Sequence, residues 1–336
     1  MTRIGTRATG RPTLSEVARL SGVSPITASR ALRGIATVDP ELVRKVREAA
    51  ASLGYVANPA ARALASAQSQ SVVVLIPSLS NQLFIDTLEA IHTVMHPRGL
   101  EVLIGNFHYS VEEEENLIRN YLAYQPRGLL LTGFDRTPTA QQLLASSGLP
   151  CVHMMELGES GRCVGFSQGQ AGVVAARHLL AQGCRRIAYV AAQLDPRVMQ
   201  RAEGFRGALR EVGLYDPSLE VMDPLPSSIG LGAALFRQLL ERHPDVDGIF
   251  FCNDDLAHGG LYEAQRLGID IPGRVSVVGF NDLPGSEHLV PRLTSIRTPR
   301  AAIGRGAAVM LLDMLDGKAN APQSRDLGFE LMVRES

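Results

Sequence analysis

The chain has 336 residues, 45% of them hydrophobic and 20% charged, and its mean hydropathy is +0.05. That balance excludes wholesale disorder and leaves room for about two domains of ordinary size. Its apolar runs, such as Val72 to Ile76 and Ile187 to Ala192, stop far short of the roughly 18 residues a membrane span needs. Net charge is -1, yet residues 1–70 hold ten basic groups against four acidic ones, +6 for that part and -7 for the rest. A small basic head on an acidic body points to a polyanion as the partner of the head.

Residues 1–10 read as a disordered arm and 11–57 as a three-helix head. Thr13 and Glu16 stand three apart before an apolar stripe of Leu14, Val17 and Ala18, the pattern of a capping box. Gly22 supplies the left-handed backbone of a tight corner, Ser24 is a good N-cap and Pro25 suits a first helical turn. From there Ala28, Ala31 and Leu32 face inward, while Thr27, Ser29, Arg30 and Arg33 are left mostly outward. Asp39 and Pro40 open a third helix, with Leu42, Val46, Ala49, Ala50 and Leu53 inside and Gly54 at its end. Two short helices crossing at Ala18 around a glycine turn form a helix-turn-helix, and an arginine on the second can reach a guanine in the major groove.

Residues 58–70 read as a hinge helix and linker. Asn58 is a cap, Pro59 fits the first turn, and Ala60 to Ala65 favour a helix that is too short to stand alone in water. The body, 71–336, alternates short apolar strands with amphipathic helices. One set runs from Ser71 to Met155, and a second from near Val164 to Asp282. This predicts an α/β body of two lobes, each a doubly wound parallel sheet. The first lobe takes 71–163 and a returning segment at 295–325, the second 164–292. Ligands of such folds sit beyond the carboxyl ends of the strands. Those ends carry Ser78, Phe84, Thr132, Glu156, Phe166, Arg197, Arg201, Asn253, Asp254 and Asn281. Amides and carboxylates suit hydroxyls, aromatic faces suit C–H groups, and arginine suits an anion, so the set reads as a pocket for a polyhydroxylated ligand. Helix capping alone accounts for Asn253 and Asp254.

Two blocks, TLSEVARLSGVSPITASRALRG (Thr13–Gly34) and GYVANPAARALA (Gly54–Ala65), resemble the lactose-repressor (LacI/GalR) family of bacterial transcription factors, and the resemblance extends over nearly the whole chain. It implies a periplasmic-binding-protein-like body with facing strand ends, and a cytoplasmic homodimer, or a tetramer, on a pseudo-palindromic operator. It places Pro25, Ile26 and Arg30 at bases and the hydroxyls of Ser24, Thr27 and Ser29 at phosphates. Pro25 and Ile26 depart from better-known members, since they offer only apolar contact and leave Arg30 most of the polar readout. The resemblance also implies that residues 58–66 order on DNA, with Leu64 wedged between base pairs and Ala61 allowing two such helices to approach. Ligand in the cleft would then separate and melt these hinges.

The stretches PSLSNQLF, RRIAYVAAQLDPR, FFCNDDLAHGG and LTSIRTPR are similar to the gluconate-utilisation branch of the family. They imply gluconate or a related sugar acid as inducer, its carboxylate on Arg201 with Arg197. Asn281 stands where the family usually has an aspartate, which removes a negative charge and favours an acidic ligand. A neutral sugar or purine effector, or co-repressor action, is the alternative within the family.

Rival chemistries fare worse. Gly165 to Gly169 fits the G-x-S-x-G elbow, which would make Ser167 an esterase nucleophile with Asp254 or Asp255 and His258 or His288 downstream, but an enzyme leaves the basic head unexplained. His92 and His96 lack the glutamate of a zinc-protease pattern, and the four widely spaced cysteines suggest buried thiols rather than a disulfide or metal frame. No cofactor or metal is expected.

Overall fold

The computed structural model describes residues 12–35, 37–56, 69–158, 161–318 and 323–336. The arm 1–10 and the hinge residues Asn58, Ala61 and Leu64 lie outside the described residues. The chain divides into two compact units, Met1–Ser69 and Gln70–Ser336.

The first unit holds helices α1 (Leu14–Ser21), α2 (Pro25–Leu32) and α3 (Pro40–Leu53). Thr13 and Glu16 close a reciprocal capping box on α1, the Thr13 N–H donating to Glu16 at 2.7 Å. Gly22 ends that helix at φ 70°, which turns the chain sharply into Ser24, the cap of α2. Asp39 accepts from the Glu41 and Leu42 N–H groups and starts α3. The three helices bury Val17, Ala18, Ala28, Ala31, Val46, Ala49 and Ala50 between them. Five of these seven residues are alanines, so the helix axes come close and the core is small.

The second unit contains two six-stranded sheets. The first sheet has the order β11-β5-β4-β3-β1-β2, built from β1 (Ser71–Ile76), β2 (Glu101–Asn106), β3 (Gly128–Thr132), β4 (Cys151–Met154), β5 (Arg162–Gly165) and β11 (Ser324–Asp326). The second has the order β12-β10-β9-β8-β6-β7, from β6 (Ile187–Ala192), β7 (Glu220–Asp223), β8 (Gly248–Phe251), β9 (Ser276–Asn281), β10 (Thr294–Arg297) and β12 (Glu330–Met332). Pairing is parallel throughout except between β10 and β12. Strands β1, β3, β6 and β8 are buried along their whole length, as parallel strands covered on both faces must be.

Helices α4 (Leu83–Met95), α5 (Val111–Leu122), α6 (Pro138–Ser147), α7 (Gln168–Ala181), α8 (Pro196–Glu211), α9 (Ile229–Arg242) and α10 (Asp254–Leu267) follow the strands in turn. Helix α11 (Arg300–Leu315) packs against α4 and against β3 and β4 of the first sheet. Its approach to α4 depends on Gly304, where any side chain would strike the Thr87 backbone.

The crossings between sheets differ from the sequence expectation at two places, and a third was not anticipated. Strand β5 keeps Val164 and Gly165 in the first sheet. Thr294–Arg297, expected to return to the first lobe, instead pairs with β9 in the second. Glu330–Met332 then goes back to the second sheet alongside β10. Thr294 and Ser295 look like linker residues, but their buried hydroxyls serve the Arg334 N–H and the Asp254 carboxylate, which lets a polar strand sit inside the lobe. The edge strand β7, EVMD, was also not foreseen, since it is short and acidic at both ends.

Candidate DNA-reading surface and ligand cleft

Helix α2 shows one face to the core and the other to solvent. Ala28 and Ala31 are fully buried, whereas Ser24, Pro25, Ile26, Arg30 and Arg33 are exposed, Ile26 by 67%. Ser24 Oγ accepts from the Thr27 N–H at 3.1 Å and sits 2.9 Å from Thr27 Oγ1, so both hydroxyls stand together at the N-terminus of the helix. Ser29 is half-buried, and its carbonyl accepts from Arg33 Nε at 3.2 Å. Arg44 is neutralised by Glu41 and Glu48. Arg19, Arg30, Arg33, Lys45 and Arg47 have no carboxylate partner among the described residues, so the positive charge of this unit is unspent.

In the body, a cleft lies between the two sheets. Of the expected residues, the structure brings Phe84, Phe166, Arg197, Arg201, Asn253 and Asn281 to its walls. Arg201 is 7% exposed and stands with its guanidinium carbon 4.1 Å over the Phe280 ring. Its Nη1 donates to Gln168 Oε1 at 2.6 Å, and Gln168 in turn donates to the Met155 carbonyl at 2.8 Å. Arg201 Nε is buried with no hydrogen-bond partner, and Arg201 has no carboxylate partner among the described residues. Its position depends on a close crossing of α7 and α8, where Gly172 lies against the Arg201 carbonyl and Gly204 against that of Gly169.

Arg197 is a different kind of cation. Its Nε pairs with Asp195 Oδ1 at 3.3 Å, and its Nη1 lies over Gly133, where a methyl group would come within 2.5 Å. Burial by itself would lower its pKa, but Asp195, Glu156, Tyr109 and Glu114 outweigh it and hold the guanidinium above its ordinary range. Glu156 lies behind this contact, off the cleft wall, and takes the Phe134 N–H at 2.9 Å. Burial raises its pKa, and the neighbouring Arg197 opposes that.

Three further expected residues are placed elsewhere. Ser78 accepts from the Asn81 N–H at 3.1 Å and shapes the turn before α4. Thr132 donates to the Leu75 carbonyl at 2.9 Å and ties β3 to β1. Asp254 is fully buried below the cleft, where it accepts from Ser286, Ser295 and the Leu283 N–H. Burial, opposed by those hydrogen bonds, pushes its pKa up to about 6. Asn253 combines two roles: it lines the cleft, and its Oδ1 caps α10 while accepting from Ser227 Oγ at 3.0 Å.

Sequence reasoning missed Asn81, Tyr109, Gln193, Asp195, Phe280 and Thr298 as cleft residues. Tyr109 follows β2 at a positive φ of 60°, a conformation that composition does not announce. Burial and the nearby Asp195 push its phenol up to about 12. Asp195 caps α8, and only its neighbours in space make it the partner of Arg197.

Ser167 caps α7 by accepting from the Gln170 N–H at 3.2 Å. His258 meets Ser286 at 2.9 Å and Ser286 donates to Asp254, a buried structural chain that does not include Ser167. No group of three or more metal-ligating side chains occurs among the described residues, the four cysteines are free, and no described helix is long and apolar enough to cross a membrane.

A helix-turn-helix unit with an unpaired basic surface, in one chain with a two-sheet body that encloses a polar, arginine-bearing cleft, defines a ligand-responsive DNA-binding regulator. The family profile for bacterial regulatory proteins, lacI family, matches residues 13–58, and that for the periplasmic binding protein-like domain matches residues 176–336. HTH-type transcriptional regulator GntR of Pseudomonas aeruginosa is 66% identical over 333 residues, 98% of this chain and 97% of that protein. The crystal structure of transcription regulator GntR from Chromobacterium violaceum is 47% identical, covers 79% of this chain and 98% of that one, and has a TM-score of 0.78. A LacI-family regulator from Silicibacter pomeroyi, 33% identical, covers 97% and 99% with a TM-score of 0.91. The chain belongs to the lacI family of bacterial regulatory proteins: it is a transcriptional repressor of sugar metabolism, and its relatives are regulators rather than enzymes.

Proposed function

We propose that this repressor is released from its operator by a sugar acid, gluconate or a close relative, bound in the cleft through Arg201. The observation that carries this reading is the state of Arg201: buried, lacking a carboxylate partner among the described residues, and with Nε unpaired. A buried cation without a counter-charge is costly, and an anionic ligand is the group that relieves it. Arg197 already has Asp195, so one carboxylate on Arg201 balances the two arginines. Phe84, Phe166 and Phe280 suit the C–H faces of a polyol, and Asn253, Asn281 and Thr298 its hydroxyls. The stretches around Asn81, Arg197, Asn253 and Thr298 that resemble the gluconate branch support the same choice.

On the DNA side, α2 enters the major groove with Ile26 against apolar base edges, Arg30 on a guanine, and Ser24, Thr27, Ser29 and Arg33 at phosphates. Two copies in the cytoplasm bind one pseudo-palindromic operator, and Asn58, Ala61 and Leu64 form the hinge that orders there.

Calorimetry with gluconate, 2-ketogluconate, ribose and purine bases tests the choice of effector. Gluconate or 2-ketogluconate binds, and Arg201→Met weakens that binding about a hundredfold, about 2.7 kcal/mol, while operator affinity without ligand stays within about twofold. Binding of ribose or a purine in place of the acids assigns a neutral effector. Tighter operator binding with ligand makes it a co-repressor.

A further inference from the structure

Arg300 is the first residue of α11, and that helix packs on the first lobe through Gly304 against Thr87. Its own carbonyl accepts from Thr87 Oγ1 at 3.3 Å, so its backbone is tied to α4. Its side chain, 11% exposed, runs the other way. Nε donates to Asp86 Oδ2 at 2.9 Å in the first turn of α4, two residues after the cleft-lining Phe84. Nη1 donates to the carbonyl of Asn281 and, at 3.3 Å, to that of Asp282, at the end of β9 in the second lobe.

Those two residues have unusual backbones. Asn281 has φ 105° and Asp282 φ 50°, the left-handed region that a side chain other than glycine enters at a cost. Asn281 is 5% exposed and lines the cleft. A residue held in that conformation needs its surroundings to fix it. Asp282 is fixed by Ser295 at its N–H and by Arg297 and Arg334 at its carboxylate. The Asn281 carbonyl accepts from Arg300.

We infer that Arg300 is a positioning residue for ligand recognition: by forking between Asp86 of α4 and the Asn281 and Asp282 carbonyls, it holds the Asn281 amide aimed into the cleft and fixes its distance from the Phe84 wall. Because this rests on the cleft being the sensing site, the test has one arm that needs no ligand. In the full-length, ligand-free protein, amide exchange at Asp282 and Leu283 speeds up about tenfold in Arg300→Met relative to amides of β8. Asp86→Asn gives a smaller change of the same kind. Unchanged exchange at those two amides overturns the inference, whatever the ligand proves to be.

In the second arm, gluconate affinity measured by calorimetry falls about tenfold in Arg300→Met, while operator affinity without ligand is kept within about twofold. In an Asn281→Gly background, where the left-handed backbone costs nothing, the same change has no further effect on gluconate affinity. Equal losses in both backgrounds make Arg300 a general structural prop and overturn the inference. If Arg300→Met does not fold, Arg300→Lys keeps the pair with Asp86, loses the planar fork to the two carbonyls, and takes its place in both arms. A wild-type protein that binds no sugar acid fails the proposed function instead, and the exchange arm still decides the role of Arg300.

Discussion

Helix α2 carries the proposed reading surface of the first unit within Ser24 to Arg33, whereas the cleft of the second draws its walls from Asn81 to Thr298. The two surfaces also hold charge differently. Arg30 and Arg33 lie in solvent, where an unpaired guanidinium costs little and attracts phosphate at a distance. Arg201 is buried and Arg197 half-buried, so neighbouring dipoles and carboxylates count, and among the described residues only Arg197 has a carboxylate partner. A surface of the first kind can change its sequence preference by single substitutions with little cost to the fold. A cleft of the second kind has its charge balance built into the core.

That contrast can be broken most directly at Asp254, the buried acid beneath the cleft. Its folded pKa of about 6 stands above the ordinary 3.8, so the fold favours the protonated carboxyl. The stability it contributes is full below about pH 4 and is lost as pH rises to about 6, amounting to about 3 kcal/mol. Denaturant unfolding of wild type and Asp254→Asn across that window should show the variant gaining on wild type as pH rises. A constant gap would mean that Asp254 is ionised throughout.

A smaller effect is expected on the DNA side. Arg30→Ala should cost about 2 kcal/mol of operator binding, while binding to random duplex loses much less. Equal losses in a titration against both duplexes would make Arg30 a phosphate contact. The smallest effect is local: Thr13→Ala removes the reciprocal cap of α1 and should destabilise the first unit by about 1 kcal/mol. Faster amide exchange in α1 to α3, with none in the body, would sharpen the separation of the two units.

How much of this was legible follows from the same distinction. The Thr13–Glu16 capping box, Pro25 at a first turn and Gly22 at a corner are signals within a few residues, and the helices begin and end where those signals stand. The apolar runs of β1, β3, β6 and β8 announced a covered parallel sheet. Strand β10 was hidden because its buried threonine and serine are satisfied by partners far along the chain. In the cleft, Arg201 could be named from its place near the start of a helix after a strand. Thr132 and Asp254 occupy equally promising strand ends and face elsewhere, toward the Leu75 carbonyl and the Ser286–Ser295 hydroxyls. Strand-end position marks a neighbourhood, and the direction of a side chain within it is set by packing that no short window contains.

The chain passes between the sheets after β5, after β10 and again after β11. A lobe excised at any one of these passages would leave behind strands that its own sheet requires. The body therefore has to be assembled from both ends of its sequence, with β12 closing a sheet begun by residues more than a hundred positions earlier. Such non-local pairing predicts slow folding of the body that completes only once β12 is available to pair with β10.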